Sequence, residues 1–231
     1  MSTLSVIIPT RALGPHLDQL LASCRDCLPD AERILVVADL GSAQIEREMD
    51  ATRWLDGQTR ILYGPPGRGP QCNLGARAAR GDLLFFLHDD SRLPIDAWTL
   101  IERLFVEHGV HLACFRLRFD DPHWLLAVYG WFSRFDSLLT SFGDQGILVR
   151  RSLFDALGGF PDWPLFEDVD FLRRARRATS IRKLPATITT SAARYLARGR
   201  VRQQLFNGWL ILLYLLGTAP GRLAAAYERR R

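Results

Sequence analysis

Lysine is almost missing from this sequence. Of its 30 Lys and Arg residues only Lys183 is a lysine; the other 29 are arginines. That excludes a Gly-Lys-Ser/Thr phosphate loop and a lysine-rich nucleic-acid arm, so no nucleic-acid partner is expected. A Schiff-base mechanism would rest on Lys183 alone. Cysteine is also scarce. The four residues Cys24, Cys27, Cys72 and Cys114 form no dense framework, which points to a reducing compartment. The Cys24-Arg-Asp-Cys27 pair has metal or redox spacing but no second pair, so both are expected to be small buried hydrophobes. No uncharged apolar stretch reaches ~18 residues, so an ordinary spanning helix is not expected. Nor does a basic segment precede an apolar run at the start, so no signal peptide is expected.

What is present is ordinary globular composition over 231 residues, 48% hydrophobic and 24% charged. This suits one domain with an appendage. The charge is unevenly spread. Residues 1–172 hold 16 basic and 24 acidic side chains, whereas residues 173–231 hold 14 basic and one acidic. So basic a segment suits an anionic neighbour, whether phosphate, nucleic acid or an acidic bilayer, but a solvated helix face accounts for it as well.

Strands alternate with helices along the chain. Apolar runs at 4–9, 34–37, 59–63 and 83–87 read as buried strands. Helices are expected over 15–28, about 43–55, 70–80 and 94–107. This β-α-β-α order predicts an α/β fold with a mostly parallel central sheet and helices on both faces. Further strands are expected at 112–119 and 146–149, and helices at 151–157 and 167–177. An apolar helix over 201–216 and a last short helix close the chain. Trp124, Trp131 and Phe132 are expected in a hydrophobic core, although they could stack on a sugar. The domain is drawn over 1–200, with a nucleotide-binding half at about 1–119, an acceptor half at about 120–200 and a helical appendage at 201–231.

In open parallel sheets ligands bind at the carboxyl ends of strands. The fourth strand ends in His88-Asp89-Asp90. Adjacent carboxylates repel, and a hard divalent ion would relieve them; a helix-capping turn is the equal alternative. Glu167-Asp168-Val169-Asp170 stands at an expected helix start, where acids also complement the helix dipole. Upstream, Gly143-Asp144-Gln145-Gly146 offers a loop that a ligand can approach closely.

These pieces, with Ser5-Val6-Ile7-Ile8-Pro9-Thr10, Val37-Ala38-Asp39, Gly67-Arg68-Gly69-Pro70-Gln71-Cys72-Asn73 and Leu157-Gly158-Gly159-Phe160-Pro161, follow an order that resembles family 2-type glycosyltransferases of the GT-A fold. The resemblance covers about residues 4–220 and extends to the small radical-SAM/selenodomain-associated subgroup. It implies that Pro9, Thr10, Asp39, Arg68, Asn73 and Asp89 meet the nucleotide. It implies that Asp90, with His88 standing where an Asp is usual, holds Mn²⁺ or Mg²⁺. Gly143, Asp144 and Gln145 would shape the acceptor side, and Asp168, or failing it Glu167, would be the general base. Arg11-Ala12 replaces an expected Asn-Glu, and the late Gln-x-x-Arg-Trp motif is absent.

The implied activity is metal-dependent, inverting transfer from a nucleoside-diphosphate sugar to an unidentified hydroxyl, lipid-linked among the options. The alternatives are a nucleotidyltransferase and a non-catalytic nucleotide- or membrane-binding module. Leu205 to Leu216, with Trp209, Tyr214 and flanking arginines, could lie on an anionic membrane, pack on the sheet or join two copies. The expected location is cytoplasmic, with the inner membrane face as a peripheral option.

Overall fold

A computed structural model describes residues 3–39 and 54–229. The expected helix over about 43–55 lies, but for its last two residues, outside the described residues, as do Gly41 and Ser42. Among the described residues eight strands form one sheet, in the order β3-β2-β1-β4-β7-β6-β8-β5. The strands are β1 (Leu4–Thr10), β2 (Glu32–Ala38), β3 (Thr59–Gly64), β4 (Leu83–Phe86), β5 (Ser91–Arg92), β6 (Leu112–Phe119), β7 (Ile147–Arg150) and β8 (Arg182–Thr190). The first four pair in parallel, and β6 pairs in parallel with β8. β7 runs antiparallel between β4 and β6, and β5 antiparallel to β8.

Strand alternation explains the layers. Leu4, Val6 and Ile8 of β1 join Leu83 and Phe85 of β4 on one face, beneath Leu17, Leu20, Leu21 and Cys24 of α1 (His16–Cys27). Ile7, Leu84 and Phe86 point to the other face. There they meet Cys72 and Ala76 of α2 (Arg68–Ala78), and Phe154 and Phe171 of two later helices. α2 comes so close to β1 that a Cβ on Gly75 would strike the Ile7 side chain. All four cysteines are buried and free. The expected helix over 94–107 is α3 (Ala97–Glu102), continued by a π-helical turn over Arg103–Glu107.

The second half departs further from expectation. α4 (Trp124–Phe132) lies on β6 through Leu126 and Gly130, where a Cβ on Gly130 would stand 2.7 Å from the Leu117 carbonyl oxygen. Its opposite face, with Trp124, Trp131 and Phe132, is exposed rather than core. α5 (Arg151–Ala156) and α6 (Glu167–Ala175) follow β7. β8 and the short α7 (Ala193–Arg198) were not expected. The expected appendage is α8 (Arg200–Leu215) and α9 (Pro220–Glu228), and it packs back onto the domain. Leu210 and Tyr214 of α8 and Leu223 of α9 form a cluster with Val169 of α6. Among the described residues no helix is long and apolar enough to cross a membrane.

Candidate active site

The carboxyl ends of β1 and β4 lie side by side. Thr10 closes β1, and its hydroxyl donates to Asp89 Oδ2 at 2.7 Å, with His16 Nε2 3.5 Å from the same oxygen. Asp89 is therefore tied to the end of β1 and the start of α1. The next carboxylate, Asp90, accepts a longer hydrogen bond of 3.3 Å from Thr190 at the end of β8. Burial and the adjacent Asp89 push Asp90 up from the ordinary carboxylate range. His88 is shifted well down by burial and by Arg68 and Arg194, so its ring is neutral near pH 7 with a lone pair to offer.

α6 supplies the opposing acids. Its first turn follows Phe166, which adopts a left-handed backbone (φ 66°), uncommon for a bulky residue and typical of constrained sites. Asp168 Oδ2 accepts the Gly143 N–H at 2.6 Å, and Oδ1 accepts the Val169 N–H at 2.8 Å. A Cβ on Gly143 would lie 2.9 Å from Asp168 Oδ2 and 3.1 Å from His88 Nε2. Glycine at 143 thus lets the β4 tip and the α6 acid flank one point of backbone. Glu167 is buried 3.9 Å from Arg68, and burial together with Asp168 pushes its pKa up. Asp144 Oδ1 is buried with no hydrogen-bond partner among the described residues, and burial, Asp168 and Asp90 push this acid up to about 7.

Asp90 and Asp168 open into one cavity of about 200 Å³, which Arg68, His88 and Asp144 also line. A narrower crevice beside it is bounded by Pro9, Glu167 and Gly143 and shares Arg68, His88 and Asp168. Other expected residues stand apart from the cavity. Asn73 holds the Phe160 backbone from both sides, donating to its carbonyl at 2.8 Å and accepting from its N–H at 2.9 Å. Gln145 is fully buried and donates to the Thr140 carbonyl at 2.5 Å, while Lys183 donates to its Oε1. Asp39 is exposed after β2, with its backbone N–H on the Gly64 carbonyl at 2.7 Å.

Sequence reasoning missed the remaining wall. Tyr129 of α4, Arg194 and Tyr195 of α7, and Gln203, Asn207 and Leu210 of α8 complete the cavity. Asn207 donates to the Tyr195 hydroxyl at 3.2 Å and accepts from Gln203 at 2.8 Å. The one available signal was the arginine-rich, tyrosine-containing tail.

Among the described residues no three His, Cys, Asp or Glu side chains are grouped to hold a metal ion. The donor set still fits a divalent cation that completes its shell on phosphate oxygens, which needs only one or two carboxylates from the protein. The unpartnered Asp144 oxygen and the mutual repulsion of Asp90, Asp144 and Asp168 are what such a charge would relieve.

A parallel sheet extended by an antiparallel strand, with an acidic cleft at the strand ends, is the GT-A arrangement. The chain belongs to glycosyl transferase family 2, whose sequence profile it matches over residues 5–156. The match stops at the family and does not distinguish the radical-SAM/selenodomain-associated subgroup. Solved structures agree on the fold. S. aureus TarS 1-349 superposes with a TM-score of 0.63 at 17% identity, over 82% of this chain and 60% of that one. TarS 1-349 in complex with UDP-GlcNAc gives 0.62 at 18% identity, over 82% and 58%. The Pyrobaculum calidifontis mannosyltransferase PcManGT, in complex with GDP-Man and Mn²⁺, gives 0.59 at 15% identity, over 81% and 56%. The chain thus spans less than two thirds of each of these structures. Among curated protein sequences there is no match.

Proposed function

We propose that the protein transfers a sugar from a nucleoside-diphosphate sugar to a hydroxyl acceptor, with inversion, Asp168 acting as general base. One observation carries this reading: Asp90, in the loop after β4, and Asp168, in the first turn of α6, line the same cavity. Family membership and similarity to structures solved with UDP-GlcNAc and with GDP-Man and Mn²⁺ support it.

In this mechanism Arg68 meets the diphosphate, since its guanidinium lines both the cavity and the crevice and its forked donors match phosphate oxygens. Asp90 and neutral His88 would hold Mn²⁺ or Mg²⁺, which when bound would supply positive charge to the leaving diphosphate. Asp168 accepts the proton of the acceptor hydroxyl. The hydroxyl oxygen bonds to the anomeric carbon as the bond from that carbon to the phosphate oxygen breaks, and the nucleoside diphosphate departs with the electron pair. A single displacement inverts the centre. Asp168 suits the base role better than Glu167, which faces Arg68 at the crevice. The Gly143 N–H fixes the orientation of the Asp168 carboxylate. Asp144 stands on the same wall, whereas Gln145 holds the loop from beneath.

The test is a panel of nucleotide sugars with Mn²⁺ in which the released product is identified. Free nucleoside diphosphate that disappears with Asp168→Asn supports the transferase. Pyrophosphate exchange would instead make the protein a nucleotidyltransferase, and turnover of Asp168→Asn within tenfold of wild type would remove Asp168 from the base role.

A further inference from the structure

We propose that the outer faces of α4 and α8 together form a docking surface for an anionic lipid bilayer. The inner faces of these helices wall the cavity through Tyr129, Gln203, Asn207 and Leu210. Among the described residues no other element covers their outer faces, whose large side chains are exposed. On α8 and its C-terminal cap, Val201, Leu205, Trp209, Leu212 and Leu216 recur at helical spacing opposite the buried Gln203, Leu210 and Tyr214. Leu205 is 70% and Leu216 73% exposed. On α4, Trp124, Val128, Trp131 and the following Phe135 do the same opposite Leu126, with Trp124 66% exposed. Side chains of this size are not left in water over two neighbouring helices without a reason.

Charge selects the occupant. Neither helix carries an acidic residue. Arg202 borders Leu205 and Trp209, Arg134 lies over the Trp131 ring at 4.9 Å, and Arg222 follows on α9. Two acids near this region are already ion-paired, Asp121 with Arg200 and Asp136 with Arg176, each at 2.6 Å, and Asp120 accepts the Ala192 N–H at 2.7 Å. A second copy would bring one arginine-rich rim against another, whereas an anionic bilayer neutralises it. Three tryptophans in an apolar face bordered by arginine suit the headgroup boundary. With 16 residues α8 is shorter than the ~20 needed to span, so it would lie in the plane of the surface. On the transferase reading this places the cavity at headgroup level, within reach of an acceptor carried in the membrane. The docking itself does not depend on that reading.

The experiment is flotation of the full chain with vesicles of phosphatidylcholine alone and of phosphatidylcholine with phosphatidylglycerol, together with light scattering in the absence of lipid. The protein should float with the anionic vesicles and stay behind with the neutral ones. Leu205→Glu with Trp209→Glu, and separately Trp124→Glu with Trp131→Glu, should each lower binding by about tenfold or more with an unchanged unfolding temperature. Arg202→Glu with Arg222→Glu, which leaves the apolar faces intact, should lower binding to the anionic vesicles by about tenfold. Absence of flotation overturns the proposal, as does flotation indifferent to all three variants. A lipid-free dimer that the apolar variants dissociate would also overturn it and reassign the surface to a second copy. Because flotation needs no turnover, a failed transfer assay leaves this result standing.

Discussion

The Gly143 N–H donates to Asp168 Oδ2 at 2.6 Å and thereby links the loop before β7 to the first turn of α6. The contact exists because residue 143 has no Cβ, since one would stand 2.9 Å from that oxygen and 3.1 Å from His88 Nε2. Both obstructing atoms are ends of side chains, so Gly143→Ala should fold and shift the carboxylate and the imidazole instead. A displaced catalytic group commonly costs up to about 10² in rate. We expect turnover to fall by about 10- to 100-fold, with an unfolding temperature close to wild type. Steady-state kinetics beside a thermal melt would check this, and unchanged turnover would show that the contact does not orient the acid.

Asp168→Asn keeps the shape of the side chain and its acceptor oxygen but cannot take a proton. A positioned base contributes about 10²–10⁴-fold, so turnover should fall by at least that much. Nucleotide affinity should stay within about threefold, because Arg68 and Asp90 remain. Titration calorimetry with a nucleoside diphosphate, run beside the rate assay, separates the two effects. Joint loss of binding and turnover would place Asp168 among the nucleotide contacts.

Asp144 gives the folded protein a dependence on pH with a definite sign. Its acid is pushed up to about 7, by burial first and then by Asp168 and Asp90, whereas an unfolded aspartate ionises near ~4. Between these values the folded chain holds a proton that the unfolded chain has released, so stability falls as pH rises from about 4 to 7. Glu167 is shifted in the same direction and adds to the slope. Asp144→Asn removes the buried charge. It should raise the unfolding temperature by roughly 2–8 °C at pH 8 and leave it nearly unchanged at pH 4.5. Equal shifts at both pH values would show that burial of this charge is not the cause.

The parts of this arrangement that were legible in the sequence are those where burial and chemistry share one stretch of chain. β1 and β4 are apolar runs buried on both faces, and the acids follow β4 at once, so both the strands and the cleft end could be read. β8 was hidden because Arg182–Thr190 contains Pro185 and few apolar residues. It tolerates the proline where its register with β6 shifts and where β5 covers only Thr189 and Thr190 on the other side. The cavity wall from Arg194, Tyr195, Gln203 and Asn207 was hidden for another reason. Gln203 and Asn207 are ordinary surface residues by type that face the cavity because α8 returns onto α6, whereas Tyr195 of α7 is carried inward by packing with Phe119 and Leu126. Trp124 and Trp131 are exposed where the sequence suggests core, because an apolar helix looks alike whether its second face meets protein or stays open.

Asn73 shows how a recognisable motif can hide its task. The resemblance places it at the nucleotide, yet both ends of its amide are held by the Phe160 backbone, which secures the turn through Gly158 and Gly159. A Cβ on Gly159 would lie 2.6 Å from Asn73 Oδ1, so that turn is built around the amide. Asn73→Ala leaves a partly buried N–H and C=O without partners, at a cost of about 1–3 kcal/mol. The unfolding temperature should drop by roughly 2–10 °C. Nucleoside diphosphate affinity, measured well below the melt, should change less than about threefold. The reverse pattern, an unshifted melt with affinity down tenfold or more, would return Asn73 to the nucleotide and make the Phe160 contacts incidental.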